Sequence, residues 1–143
     1  MTKQAKVALV TGAARGIGKT VAQAMLADGY QVVLAGRTAE TLEALAAQAT
    51  AAGQTALAVQ CDVSDAASVD ALYGKIRERF GRLDVLFNNA GINAPGVSID
   101  ELSVEQWKAV VDTNLTGAFL CARGAFMLMK SQDPRGGRII NNG

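Results

Sequence analysis

The 143-residue sequence contains no histidine. Its absence removes Ser-His-Asp and Cys-His catalysis, and every histidine-ligated metal site, from the chemistry these residues can perform. Cysteine is nearly as scarce. Cys61 and Cys121 are too few for a four-thiolate zinc site, and both lie in apolar segments, so they are expected to be reduced core thiols. Neither sign of charge dominates, with 14 Lys and Arg against 13 Asp and Glu. A nucleic-acid footprint or a polybasic membrane patch is therefore not expected. Long apolar runs are also missing: the stretch from Gly117 to Met129 is interrupted by Arg123 and is too short to span a bilayer. The opening segment, Met1 to Lys6, runs toward a strand without the apolar core of a signal peptide, and a cytoplasmic location is expected. No linker, internal repeat or low-complexity tract interrupts the chain. With the usual nucleophiles set aside, a bound cofactor is the natural source of chemistry.

Half of the residues are apolar and 19% are charged, a composition that suits one globular domain over residues 1–143. Short, continuously apolar runs alternate with segments of helical spacing. Val7 to Val10 has the pattern of a strand buried on both faces of a parallel sheet. A glycine-rich turn follows, then a helix from about Ile17 to Asp28 with Ile17, Val21, Ala24 and Met25 on one face and Gly29 as its stop. Val32 to Ala35 makes a second strand, and Leu42, Leu45, Ala46 and Ala49 mark a second helix closed by Gly53. Strand three covers Thr55 to Gln60. Ser64 is expected to cap a third helix carrying Val69, Leu72, Ile76 and Phe80, which Gly81 ends. Strand four covers Leu83 to Phe87. Ser103 and Gln106 form a capping box for a long helix reaching about Lys130, and Arg138 to Ile140 is strand five. This order predicts an α/β fold: a doubly wound, Rossmann-type parallel sheet, covered by helices on both faces and seen here as far as its fifth strand. In such sheets ligands bind beyond the carboxyl ends of the strands.

The turn after strand one is Thr11-Gly12-Ala13-Ala14-Arg15-Gly16-Ile17-Gly18. Glycines between a strand and a helix permit a tight turn and let the backbone approach a pyrophosphate at the helix N-terminus. Their spacing is Gly-x3-Gly-x-Gly, not G-x-G-x-x-G. With Asn88-Asn89-Ala90-Gly91 after strand four, Asp62 after strand three and Asn114 in the long helix, the sequence resembles the short-chain dehydrogenase/reductase family over its whole length.

That resemblance implies a dinucleotide cofactor held by Gly12, Arg15, Gly16, Ile17, Gly18, Arg37, Asp62, Val63, Asn88, Ala90 and Gly91. Asp62 would accept from the adenine amino group with Val63 beside the ring, and Asn88 to Gly91 would lie under the adenosine ribose. Charge bears on which dinucleotide is bound. NAD enzymes place an acid against the ribose 2′-hydroxyl, whereas NADP enzymes offer arginine to the 2′-phosphate. By resemblance the acid's position here is Gly36, with Arg37 next to it and Arg15 in the glycine turn. Two cations and no acid favour NADP(H), with NAD(H) as the alternative.

The family's reaction moves a hydride between nicotinamide and an alcohol or carbonyl carbon, with a Tyr handling the proton, a Lys four residues later lowering its pKa, and a Ser orienting the substrate oxygen. Asn114 is implied as the fourth catalytic group, distorting its helix and holding a water that relays protons to the Lys. The Ser and Tyr-x-x-x-Lys would follow strand five. Tyr30 and Tyr73 are followed four residues on by Leu34 and Arg77, so residues 1–143 alone are expected to be inactive unless more chain follows. The long helix carries Val104, Trp107, Val110, Val111, Leu115, Phe119, Leu120, Phe126, Leu128 and Met129 on more than one face and is expected to need cover on several sides. A further stretch of chain or a partner would supply it, and the resemblance implies that this helix helps form a homo-oligomer face. Three readings follow: an enzyme acting on a small alcohol or carbonyl compound, a catalytically incomplete dinucleotide-binding module, and a partner-dependent interaction protein.

Overall fold

The computed structural model describes residues 3–143. Met1 and Thr2, which head the segment leading into the first strand, lie outside the described residues. The elements are β1 (Val7–Thr11), α1 (Gly16–Ala27), β2 (Gln31–Gly36), α2 (Ala39–Ala51), β3 (Ala56–Gln60), α3 (Ala66–Arg79), β4 (Val85–Asn88), α4 (Val104–Val110), a π-helical stretch (Val111–Gly117), α5 (Ala118–Ser131) and β5 (Arg138–Asn141). All strand pairings are parallel, and the order across the sheet is β3-β2-β1-β4-β5. This is the Rossmann-like α/β sheet that the alternating pattern predicts.

Alternation along the central strands builds two cores. Val7 and Leu9 of β1, with Val33 and Ala35 of β2 and Leu86 of β4, pack under Val69, Leu72, Tyr73 and Ile76 of α3 and Leu120, Cys121, Ala125 and Leu128 of α5. Ala8 and Val10, with Val32 and Leu34, turn to the other side and meet Ala22 and Leu26 of α1 and Leu42, Leu45 and Ala49 of α2. Period-two side chains facing helices on both sides explain why these strands are apolar without a break.

Four expectations are corrected in detail. The inner face of α1 is Gly18, Ala22 and Leu26; Ile17 and Ala24 are exposed, because Gly18 is the residue seated against the glycine turn. The N-cap of α3 is Asp65, whose carboxylate accepts from the Ala67 N–H, while Ser64 turns back to Asp62. β4 begins at Val85, two residues late, because the Leu83 N–H and C=O bond the buried amide of Gln132 instead of a neighbouring strand. The long helix keeps its Ser103–Gln106 capping box but is interrupted by the π-helical stretch. Its apolar surplus is visible: Val104, Trp107, Leu115, Phe119 and Phe126 are exposed, and β5 forms one edge of the sheet with Ile140 exposed. Among the described residues no helix is long and apolar enough to cross a membrane.

Candidate functional site

The parallel arrangement brings the turns after β1, β2, β3 and β4 to one end of the sheet, around a cleft of about 650 Å3. The turn after β1 contributes Gly12, Arg15, Gly16 and Ile17; the turn after β2, Gly36 and Arg37; the turn after β3, Asp62 and Val63; the turn after β4, Ala90 and Gly91. Nearly every binding residue inferred from the sequence thus lines one concavity. Two do not line it. Gly18 lies behind the turn, and Asn88 turns toward α5 and β5, where its amide Nδ2 donates to the Ala118 carbonyl at 2.9 Å and to Asn141 Oδ1 at 3.1 Å.

The glycine turn is shaped by what it cannot hold. Gly12 has a φ of 63°, the left-handed region that side chains rarely adopt. A Cβ at Gly18 would collide with the Gly12 carbonyl oxygen and stand 2.7 Å from Asn89 Nδ2. The first turn of α1 therefore presses directly on the loop, and the backbone at the helix N-terminus is bare toward the cleft.

Thr11 ties the first and fourth turns together, a role the sequence reading missed. Its fully buried hydroxyl accepts from the N–H groups of Asn89 at 2.9 Å and Ala90 at 3.0 Å. Asn89 replies with its side-chain Nδ2, donating to the Thr11 carbonyl at 3.1 Å. The available signal was a hydroxyl closing an otherwise apolar strand, where a buried polar group must have partners.

Across the cleft, Asp62 Oδ1 accepts from Ser64 twice, from the hydroxyl at 2.7 Å and the N–H at 3.0 Å. The Ser64 hydroxyl bond, foremost, holds the Asp62 carboxyl below the usual carboxylate range against the opposing effect of burial, with the nearby positive charge of Arg37 helping. Oδ1 is thereby occupied, whereas Oδ2 makes no hydrogen bond among the described residues. The Arg37 carbonyl accepts from Gln60 Nε2 at 3.1 Å, which fixes the turn after β2, while the Arg37 and Arg15 side chains remain exposed at the cleft. At Gly36 an added Cβ would make ordinary contacts, with the Leu42 methyls at 3.5 and 3.6 Å and Ala14 Cβ at 3.9 Å, so space does not dictate glycine there.

Asn114 lies in the middle of the π-helical stretch, where the sequence resemblance implies a distorted helix. Its Oδ1 accepts from the Ile92 N–H and its Nδ2 donates to the Ile92 carbonyl, both at 2.8 Å, so one side chain serves as a partner strand for the loop after β4. The same stretch ends at Gly117, where a Cβ would stand 2.6 Å from Val63 Cγ2 and 3.0 Å from the Val63 carbonyl oxygen. Asn114 lines a neighbouring cleft of about 370 Å3 with Asn88, Gly91, Ile92 and Asn141. Neither tyrosine reaches these clefts: Tyr73 is buried with its hydroxyl donating to the Cys121 carbonyl at 2.6 Å, and Tyr30 lies at the opposite end of the sheet. Burial raises the Tyr73 phenol above its ordinary range, as it does the Cys61 and Cys121 thiols.

Residues 6–143 match the family described as short chain dehydrogenase. The chain is 45% identical over 138 residues to a 3-oxoacyl-[acyl-carrier-protein] reductase of Synechocystis, covering 96% of this chain and 55% of that protein. It superposes with a TM-score of 0.90 on a 3-ketoacyl-ACP reductase from Sinorhizobium meliloti, at 37% identity over 94% of this chain and 52% of that one. A variant actinorhodin polyketide ketoreductase with NADPH gives a TM-score of 0.88 at 37% identity, covering 96% and 52%. The chain spans about half the length of these relatives. A family match from Lys6 to the last residue, on a sheet and turns of this geometry, shows that the chain belongs to the short-chain dehydrogenase family.

Proposed function

We propose that this chain is the cofactor-holding half of an NADP(H)-dependent oxidoreductase that moves a hydride between nicotinamide and a small alcohol or carbonyl compound. The observation that carries the reading is the pairing of Arg15 and Arg37 on the same cleft as the glycine turn, with Gly36 where an acid would stand. The residues fit a dinucleotide. The backbone at Gly12 and Gly18 leaves no room for a side chain between turn and helix, and the free Asp62 Oδ2 can accept from an adenine amino group. The two guanidiniums suit a 2′-phosphate, which each can grip with paired hydrogen bonds. When bound, the cofactor supplies the hydride chemistry. The chain's own part would be to hold it, with Ala90 and Gly91 on the ribose side and Val63 beside the adenine, all three lining the cleft.

In this reading Asn114 is a positioning residue whose grip on Ile92 sets the loop after β4, and the Ser, Tyr and Lys of the reaction come from outside residues 1–143. The relatives act on acyl-carrier-bound and polyketide carbonyls by name, which supports a carbonyl or alcohol substrate without selecting one. A cytoplasmic location and association of two or more copies through the exposed face of the 103–130 helix belong to the same proposal.

The test is exchange of the residue at the acid position. Gly36→Asp places a carboxylate beside the two arginines, in a space whose nearest neighbours are flexible Leu42 methyls. NADPH affinity is expected to fall at least tenfold and NADH affinity to hold or rise. An unchanged NADPH preference would remove the charge argument.

A further inference from the structure

The end of the sheet opposite the glycine turn holds another cleft, of about 510 Å3. It lies beside the segments that enter the strands, with Lys6 before β1, Tyr30 before β2, Asp84 before β4 and Arg138 opening β5. Its wall carries Lys3, Lys6, Arg82, Arg135 and Arg138 against a single carboxylate, Asp84. The whole chain has a net charge of only +1, so cations are concentrated here.

That carboxylate is already committed. Arg82 Nη2 donates to Asp84 Oδ1 at 2.7 Å, Arg82 Nε donates to Oδ2 at 3.0 Å, and the Val7 N–H donates to Oδ2 at 2.9 Å. Burial pushes the Asp84 carboxyl upward, but these bonds outweigh it and the net shift is below the usual range. Asp84 is thus an anion matched to Arg82. Among the described residues theirs is the one ion pair; Lys6 adds its charge to Asp84 from farther off, and Lys3, Arg135 and Arg138 also line the cleft with no carboxylate within ion-pair distance.

The backbone that bears the two arginines is fixed. Gln132 is buried, and its side chain accepts from the Leu83 N–H at 2.8 Å while donating to the Leu83 carbonyl at 2.8 Å and the Gly136 carbonyl at 2.9 Å. Arg82 Nη1 adds a bond to the Asp133 carbonyl at 3.1 Å. Arg135 and Arg138 start from anchored positions, which reduces the ordering cost of gathering them on a ligand. Like charges sharing a concavity raise one another's energy until an anion enters, and the cleft walls focus their field. Cations serving solubility alone gain nothing from concavity or from an anchored backbone.

We propose that this cleft is a binding site for a compact anion carrying two or more phosphoryl groups, separate from the dinucleotide cleft. The arginines offer forked donors to phosphate oxygens and the lysines mobile point charges. Tyr30, Val85 and Pro134 give an organic body an apolar wall.

The test uses the full protein with Arg15→Ala and Arg37→Ala introduced, so that the dinucleotide cleft has lost its two cations. Calorimetric titration with tripolyphosphate at low salt is expected to show saturable one-site binding. Adding Arg135→Ala and Arg138→Ala is expected to weaken it at least tenfold, with thermal unfolding confirming that the variant is folded. Lys6→Gln, tested separately, is expected to weaken it several-fold and guards against misfolding of the multiple variant. Absence of saturable binding, or an affinity that neither change lowers, overturns the site. NADPH titration of the unsubstituted protein tests the dinucleotide cleft independently.

Discussion

At Gly18 a single added carbon bears on both stability and binding, since its place is taken by the Gly12 carbonyl oxygen. Gly18→Ala forces helix and loop apart; overpacking of this kind costs about 1–3 kcal/mol. The variant is expected to unfold at lower denaturant and to bind NADPH more weakly, both read by titration. Cys121 is inert for a related reason. Burial pushes its thiol from the usual 9.0 to about 12, so the folded state favours the neutral form. That preference contributes fully below pH 9 and is lost as pH rises toward 12. Cys121→Ala is therefore expected to flatten the alkaline fall in stability, measured as the unfolding midpoint across that window. An equally steep fall in the variant would contradict the assignment. Legibility at this scale followed chemistry that stands alone. Gly12, Arg15 and Arg37 could be placed at one cleft from the glycine spacing and charge, and Asp62 from the family resemblance, because each sits next to a strand end that the pattern locates. Thr11 could not, because its role comes from partners 78 and 79 residues away.

Among the elements, the π-helical stretch shows most about how the site is held. An asparagine within a helix is costly unless its side chain finds work, and Asn114 finds it on the backbone of Ile92. Asn114→Leu deletes both bonds at an exposed position, at roughly 1 kcal/mol each. Hydrogen exchange at the Ile92 amide is expected to quicken about fivefold or more, while amides of β1 keep their protection. Equal exchange in both proteins would show that the loop is held by something else. Strand and helix types were legible from periodicity throughout, because the central strands are buried on both faces and the helices on one. The errors fell where a tertiary partner outcompeted the local signal: Gln132 took the Leu83 backbone that looked like strand, and Asp62 took Ser64 from the cap of α3.

Over the whole molecule, cations line clefts at both ends of the sheet. Arg15 and Arg37 stand at the carboxyl ends of the strands, and Lys6, Arg135 and Arg138 at the entering ends. The strand order β3-β2-β1-β4-β5 puts the reversal of connection between β1 and β4, beside the glycine turn, where open α/β sheets bind ligands. The sequence pattern was enough for the class of sheet and for the end of the sheet at which the glycine-turn cleft opens. It was not enough for the cleft at the other end, whose cations lie far apart in the chain and meet only through the fold. The central claim is a preference for NADP(H), and parallel calorimetric titrations of the protein with NADPH and NADH test it most directly. If Arg15 and Arg37 grip a 2′-phosphate as proposed, NADPH binds at least tenfold tighter, a charge-assisted hydrogen bond being worth about 1.5–3 kcal/mol. Equal or tighter binding of NADH, or no binding of either, would contradict it.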